Sequence, residues 1–309
     1  MLADDKTIAE FVRQAGQSLQ ALPDFSVASD ARLEARHILQ QALGLDFTLQ
    51  YTQGQHVLAP EEWAWLQTIV ARRLAHEPLS AILGCCDFYG RSFKLAPGGL
   101  APRPETELLV DLALDLVKNP VADQEPRLDC LQIAELCCGS GAPGLSLLAE
   151  LEARGQTAKL LLLDLDPLTL ATAKENAENL SLAQACYFQE ADLFPQSRPD
   201  VQPCFDLILV NPPYIPSGEI AQLMPEVRQF ENTLALDGGE DGLDFYRRLA
   251  QGIRTWLKPG AWLIMEHGEG QRTEIQELFA PYAERDRLLT IKVLDDYAGL
   301  DRVLALQYG

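Results

Sequence analysis

Positive charge is what this sequence has least of. Its 309 residues carry 25 Lys and Arg against 45 Asp and Glu, a formal net charge of −20. Binding nucleic acid without regard to sequence relies on many cations set against phosphate, so a protein that coats a duplex is not expected. The acidity serves solubility or steering toward a basic partner. No apolar run is long enough to cross a bilayer, and the opening Met1-Leu2-Ala3-Asp4-Asp5-Lys6 lacks the basic and apolar regions of a signal peptide. A soluble, cytoplasmic protein is the expectation. Cysteines stand at 85, 86, 130, 137, 138, 186 and 204, yet no CxxC pair with a second pair or a His cluster occurs. No metal site is expected, and reduced, mostly buried thiols are. The phosphate-binding pattern GxxxxGKS/T is also absent, which argues against a nucleoside triphosphate.

The hydrophobic content of 47% is ample for a core, and the length suggests about two domains at ~150 residues each. Residues 1–77 read as helical. Ile8, Phe11, Val12, Ala15, Leu19 and Leu22 recur at helical spacing, as do Leu33, Ala35, Ile38, Leu39, Ala42 and Leu43. A third helix opens at Pro60 with Trp63, Leu66, Val70 and Leu74 on one face. Such helices form a small bundle, in which His37, His56 and His76 stand isolated. Residues 78–103 read as a β-hairpin linker around Gly90, after which Arg103-Pro104-Glu105-Thr106-Glu107 opens a helix to about Lys118. From residue 131 strand and helix alternate, with strands at 131–136, 159–164, 185–189, 205–210, 261–266, 289–294 and 302–307. That pattern predicts a doubly wound α/β sheet binding its ligands at the carboxyl ends of the strands.

Four of those strand ends carry chemistry. Asn211-Pro212-Pro213-Tyr214 follows the apolar run 205–210. Two prolines forbid helix and remove two backbone donors, leaving a stiff loop with free carbonyls. Asn211 adds a side-chain acceptor and donor. This acceptor cluster suits an NH2 group, hence chemistry on a planar amide or amino nitrogen. Glu135-Leu136-Cys137-Cys138-Gly139-Ser140-Gly141 ends the first strand of the sheet, and its glycines allow a ligand close to the backbone at a helix N-terminus. Such a turn alone would also fit a dinucleotide; Pro143, between Ala142 and Gly144, is taken as the mark against that reading. Asp164 closes the second strand and can take both hydroxyls of a ribose, with Asp166 as competitor or N-cap. Asp192 and Leu193 close the third and could border an adenine ring. Together the four point to S-adenosylmethionine.

These residues resemble the HemK/PrmC family, protein-(glutamine-N5) methyltransferases that act on peptide chain release factors. Arg103-Pro104-Glu105-Thr106-Glu107 is similar to the family's RPETE signature, Asn211-Pro212-Pro213-Tyr214 to its NPPY, and Leu236 through Tyr246 to its GG-x-DGLDFY stretch. The ending Ala298-Gly299-Leu300-Asp301-Arg302-Val303 is similar to its G-x-DRV strand. The resemblance covers nearly the whole chain. It implies a class I S-adenosylmethionine-dependent methyltransferase, Rossmann-like with a seven-stranded sheet, behind a small N-terminal helical bundle. Residues 1–77 would hold part of the release factor, 78–103 would link, and 104–309 would catalyse. The implied cofactor set is Glu135, Cys137, Cys138, Gly139, Ser140, Gly141, Asp164, Asp192, Leu193 and Asn211. Asn211 and Pro212 would each accept one N–H of the substrate amide, with Pro213 and Tyr214 completing the substrate pocket. The protein would act as a monomer on a release factor, without binding nucleic acid directly.

Against the family pattern, Cys137 stands where Gly is usual, Cys138 replaces Thr, Ser80-Ala81 a Gln-Tyr pair, Ala101 an Ile and Asn232 a Pro. A non-glycine residue at 137 forced to positive φ would cost roughly 1 kcal/mol. Two other readings stay open at this level: an N6-adenine or N4-cytosine methyltransferase, whose flipped base would suit the same loop, and a cofactor-binding regulatory protein without turnover.

Overall fold

The computed structural model describes residues 6–22, 28–118, 130–195, 204–286, 288–295 and 299–309. It contains two compact units. One holds the described residues up to Gly84 together with Met224–Phe230; the other holds those of Cys85–Leu223 and Glu231–Gly309. Ala298, in the last of the family-like stretches, lies outside the described residues.

The first unit is helical: α1 (Ile8–Leu19), α2 (Ala28–Leu43), α3 (Phe47–Thr52), α4 (Pro60–Leu74) and α5 (Leu79–Leu83). Ile8, Phe11, Ala15 and Leu19 of α1 share one buried cluster with Ile38 and Leu39 of α2 and Leu66 and Ile69 of α4. The periodicity therefore marks most of each helix face, but Leu33 and Leu74, expected on those faces, are exposed. It does not reveal α3, a short helix that starts because Asp46 Oδ1 accepts the Leu49 N–H at 2.7 Å, a local cap rather than a repeat. Nor does it reveal α5, which takes the run leading into the hairpin and carries this unit past Glu77 to Gly84. The helix Pro225–Phe230 joins the unit through Arg73, whose buried guanidinium binds Glu34 at 2.8 Å and Glu226 at 3.1 Å. His76, isolated in sequence, has Nδ1 3.4 Å from the same Glu226 carboxylate.

The second unit opens with the antiparallel hairpin β1 (Cys85–Phe88) and β2 (Arg91–Lys94). A turn of 3-10 helix at Pro104–Thr106 leads into α6 (Glu107–Lys118). Then follow β3 (Leu131–Leu136), α7 (Ala142–Ala153), β4 (Ala158–Asp164), α8 (Pro167–Asn179), β5 (Cys186–Glu190) and β6 (Phe205–Val210). After the helix Pro225–Phe230, α9 in chain order, come α10 (Asp244–Gly252), β7 (Leu257–Glu266), α11 (Arg272–Asp286), β8 (Leu288–Asp295) and β9 (Asp301–Tyr308). All seven expected sheet strands form, in the order β5-β4-β3-β6-β7-β9-β8, with β9 antiparallel to both neighbours. β7 begins earlier than expected because Leu257 pairs with Phe205 across a register shift.

Side chains alternate across the sheet. Leu131 and Ile133 of β3 and Leu207 and Leu209 of β6 enter the core cluster shared with α6 and α7. Ala134, Leu136, Ile208 and Val210 enter the opposite one, shared with α10 and α11. The chain runs outward through β3, β4 and β5, then crosses to β6 on the other side of β3, so β3 and β6 flank the switch point where such sheets bind ligands.

Tyr246 of α10 is fully buried, and its hydroxyl donates to the Glu266 backbone carbonyl at 2.7 Å. Tyr246→Phe leaves that carbonyl without this donor and should cost about 1–2 kcal/mol. Urea denaturation should show a lower midpoint at an unchanged slope.

Candidate active site

The parallel register brings the motifs together. Leu136 lies opposite both Leu163 and Val210, so Cys137, Asp164 and Asn211, each one residue further on, emerge at one edge of the sheet. There a cavity of about 420 Å³ is lined by Cys137, Gly139, Asp164, Asp166, Asp192, Leu193, Asn211 and Pro213 among others. That volume falls in the range of small-molecule sites, roughly 300–1,000 Å³. Glu135, Cys138, Ser140, Gly141, Pro212 and Tyr214 are not among its lining residues; all but the half-buried Tyr214 are buried. Among the described residues no group of three or more side chains is arranged to hold a metal ion.

Asp164 does more than face the cavity. One carboxylate oxygen accepts the Gly139 N–H at 2.8 Å and the other the Asp166 N–H at 3.0 Å. It thereby ties the glycine turn after β3 to the end of β4. The Leu165 N–H also donates to this carboxylate, whose oxygens together offer about four lone pairs, so room remains for a further hydroxyl. Burial raises its pKa in spite of these bonds. Cys137 sits at φ 53° and Leu193 at φ 69°, so two cavity-lining residues with a Cβ occupy the left-handed region at a cost of roughly 1 kcal/mol or more each. Burial pushes the thiols of Cys137 and Cys138 up, which suits inert packing. Asp192 is half exposed and pairs with Arg248 at 2.8 Å.

Glu135 turns under the start of α7. Its buried carboxylate accepts the Gly144 N–H at 3.0 Å, and a Cβ on Gly144 would lie 2.4 Å from that oxygen. Pro143 does not interrupt the turn. It occupies the first turn of α7, where a missing N–H costs nothing, and Gly139, Gly141 and Gly144 keep the spacing GxGxxG. The glycine turn alone therefore does not separate this site from a dinucleotide site, and the discrimination rests on the loop after β6.

That loop is held from outside. Pro212 and Pro213 have no N–H to give, and neighbours grip the chain just beyond them. Ile215 N–H donates to Leu236 O at 3.0 Å, Gly238 N–H to Ile215 O at 2.9 Å, and the Gln271 side-chain amide to Tyr214 O at 2.9 Å. The glycines between Leu236 and Tyr246 make room for it. A Cβ on Gly238 would stand 2.8 Å from Tyr214 Cα, and one on Gly242 2.4 Å from Tyr214 O. Burial raises the Tyr214 hydroxyl to about 12, so the ring stays neutral. Asn211 points its side-chain nitrogen at Thr106 Oγ1, 3.4 Å away. Arg103 of the same turn grips the buried Glu231 carboxylate at 2.7 and 2.9 Å.

The far wall was not foreseen. Gly98, Gly99 and Leu100 line it with Asn232, Leu234 and Ala235, and the Asn232 N–H donates to Gly98 O at 2.9 Å. Phe245 also faces the cavity. The available signal was indirect: Asn232 departs from the family pattern, and Phe245 falls inside the Leu236–Tyr246 signature.

Comparison with known proteins is consistent across the chain. A family model described as the PrmC N-terminal domain matches residues 11–84, and one described as conserved hypothetical protein 95 matches residues 90–236. The release factor glutamine methyltransferase of Bradyrhizobium diazoefficiens is 38% identical over 279 residues, 90% of each chain. That of Geobacter sulfurreducens is 36% identical over 280 residues, 91% of this chain and 90% of its own. Among solved structures, the hMettl16 catalytic domain in complex with MAT2A 3′UTR hairpin 1 superimposes with a TM-score of 0.53 at 14% identity, covering 92% of both chains. At that identity the likeness speaks for the fold alone.

Burial pushes the Glu135 carboxyl from the usual 4.5 up to about 8. The folded protein thus keeps a proton that the unfolded chain releases, so this group's contribution to stability is full below about pH 4.5 and is lost as pH rises through about 8. Glu135→Gln retains an acceptor for Gly144 and should flatten that limb. Denaturant midpoints at about pH 5 and about pH 9 should show the variant gaining on the order of 1–3 kcal/mol over the wild type at the higher pH.

Proposed function

This chain belongs to the release factor glutamine methyltransferases, and on that premise we propose that it methylates the side-chain amide nitrogen (N5) of the glutamine in the Gly-Gly-Gln loop of a peptide chain release factor. The methyl donor is S-adenosylmethionine. The residues fit such a group: a cavity of suitable volume, an acid at the tip of β4 with room to accept a further hydroxyl, and an apolar wall of Leu193 and Phe245.

In this reading Asp164 receives a ribose hydroxyl, Cys137 and the turn Gly139-Ser140-Gly141 border the amino-acid end, and Asp192 with Leu193 borders the adenine. Bound there, S-adenosylmethionine supplies an electrophilic methyl on a positively charged sulfonium. The chain's own task is to place a weak nucleophile and exclude water. A glutamine amide nitrogen shares its lone pair with the carbonyl. Asn211 Oδ1 and the Pro212 carbonyl each accept one N–H of that amide, which turns the lone pair toward the methyl and enriches the nitrogen. Tyr214, half-buried, walls the substrate side. The product can release its proton once the nitrogen has been methylated, so a strong base is not required. The helical unit, which runs to Gly84 and includes Met224–Phe230, holds part of the release factor, and the unit that begins at Cys85 carries the chemistry. Among the described residues no helix is long and apolar enough to cross a membrane.

The observation that carries this reading is Asn211 itself, at the cavity with its side-chain nitrogen toward Thr106. Mass spectrometry of a release factor incubated with the protein and S-adenosylmethionine should find one added methyl on the Gly-Gly-Gln glutamine. Asn211→Ala should lower turnover by about 10²- to 10³-fold while S-adenosylhomocysteine affinity, read by calorimetry, barely moves. Wild-type turnover in that variant would rule out the acceptor role.

A further inference from the structure

The reading above uses Asn211 as an acceptor, yet an asparagine amide has two ends of nearly equal shape. Presenting NH2 instead of C=O to the substrate would set donor against donor. Something has to decide which end faces out.

Glu266 stands where such a decision can be made. It ends β7, and since Val210 lies opposite Met265, Glu266 is next to Asn211 across the strand pair. It is 2% exposed. Its carboxylate accepts hydrogen bonds from the Thr106 hydroxyl and the Asn211 side chain, while its Oε2 has no hydrogen-bond partner. Thr106, also 2% exposed, comes from the turn before α6 and has its oxygen 3.4 Å from Asn211 Nδ2. We propose, resting on the function given above, that Glu266 and Thr106 are positioning residues that fix the orientation of the Asn211 side-chain amide.

The reason is hydrogen-bond polarity. An ionised carboxylate has no proton to donate, so every hydrogen bond to it runs inward. The single proton of Thr106 goes to Glu266, which leaves the Thr106 oxygen free only to accept. Both groups behind Asn211 are therefore acceptors, and only the NH2 end satisfies them. A flipped amide would press Oδ1 against a carboxylate and a hydroxyl whose proton is already given. Asn211 Oδ1 is thus left for the substrate. A buried acid with an unpartnered oxygen is a costly way merely to fill space. A glutamine there could donate as well as accept, and the polarity would be lost.

Other charges bear on Glu266. Arg302 on β9 favours its ionised form, Glu105 beside Thr106 opposes it, and the hydroxyl groups of Tyr214 and Tyr246 also sense it. Burial outweighs the two hydrogen bonds and Arg302, and the carboxyl is pushed up to about 7. Orientation is then enforced above that pH and relaxed below it.

Three variants and one spectrum decide the matter. Glu266→Gln and Thr106→Val should each lower kcat by about 10²-fold, with KM for the release factor and S-adenosylhomocysteine affinity within a few-fold of wild type. Thr106→Ser should recover most of the turnover that Thr106→Val loses. In 15N-labelled protein without substrate, the Asn211 side-chain NH2, identified by its loss in Asn211→Ala, should shift with a midpoint near pH 7 and become insensitive to pH in Glu266→Gln. Wild-type turnover in Thr106→Val, or a wild-type Asn211 resonance that ignores pH across this range, overturns the proposal. Should Glu266→Gln fail to fold, the Thr106 pair decides. If the wild type methylates no release factor, the function fails while the spectrum still judges the orientation.

Discussion

Three strands in parallel register, with Leu136 opposite Leu163 on one side and Val210 on the other, impose the arrangement on which the site depends. Parallel strands finish at the same edge. Whatever follows Leu136, Leu163 and Val210 is delivered within reach of one cavity, and here those residues are Cys137, Asp164 and Asn211. The alternation that puts Ile208 and Val210 on one face and Leu207 and Leu209 on the other forbids a slip by one residue, because a slip would exchange the two buried faces. The core and the site are therefore set by one constraint.

The family-like motifs become physical once this edge is in view. The glycines between Leu236 and Tyr246 are where the chain after Asn211-Pro212-Pro213 passes closest, and a Cβ on Gly238 or Gly242 would overlap Tyr214. Two prolines stiffen the loop but cannot anchor it, so the anchoring comes from Leu236, Ile215 and Gln271. The turn around Arg103 and Thr106 contributes at two points, one through the ion pair with Glu231 and one beneath Asn211. A stiff loop without backbone donors of its own thus rests on a glycine-rich bed and a polar floor.

The site also carries strain and buried charge. Cys137 and Leu193 adopt left-handed backbone at the cavity wall, and Glu135 and Glu266 are carboxyls pushed up by burial. Close-packed cores above and below hold these costs in place, as expected where geometry serves chemistry rather than stability.

Sequence by itself determined the α/β alternation, the seven strands, most of the helical faces of the first unit and the stiffness of the loop after Val210. These follow from local rules: apolar period, proline's missing N–H, and acids at strand tips. Resemblance to the family, in which Gly is usual at this place, also pointed to the strained position at Cys137. Tertiary structure alone decided that Glu135 braces α7, that Asp164 ties two turns together, that Gly98–Leu100 faces Asn232, and that Thr106 meets Asn211 from 105 positions away. None of these contacts has a local signal. Each is created by sheet order and register, which bring together residues that no periodicity within a single segment can relate.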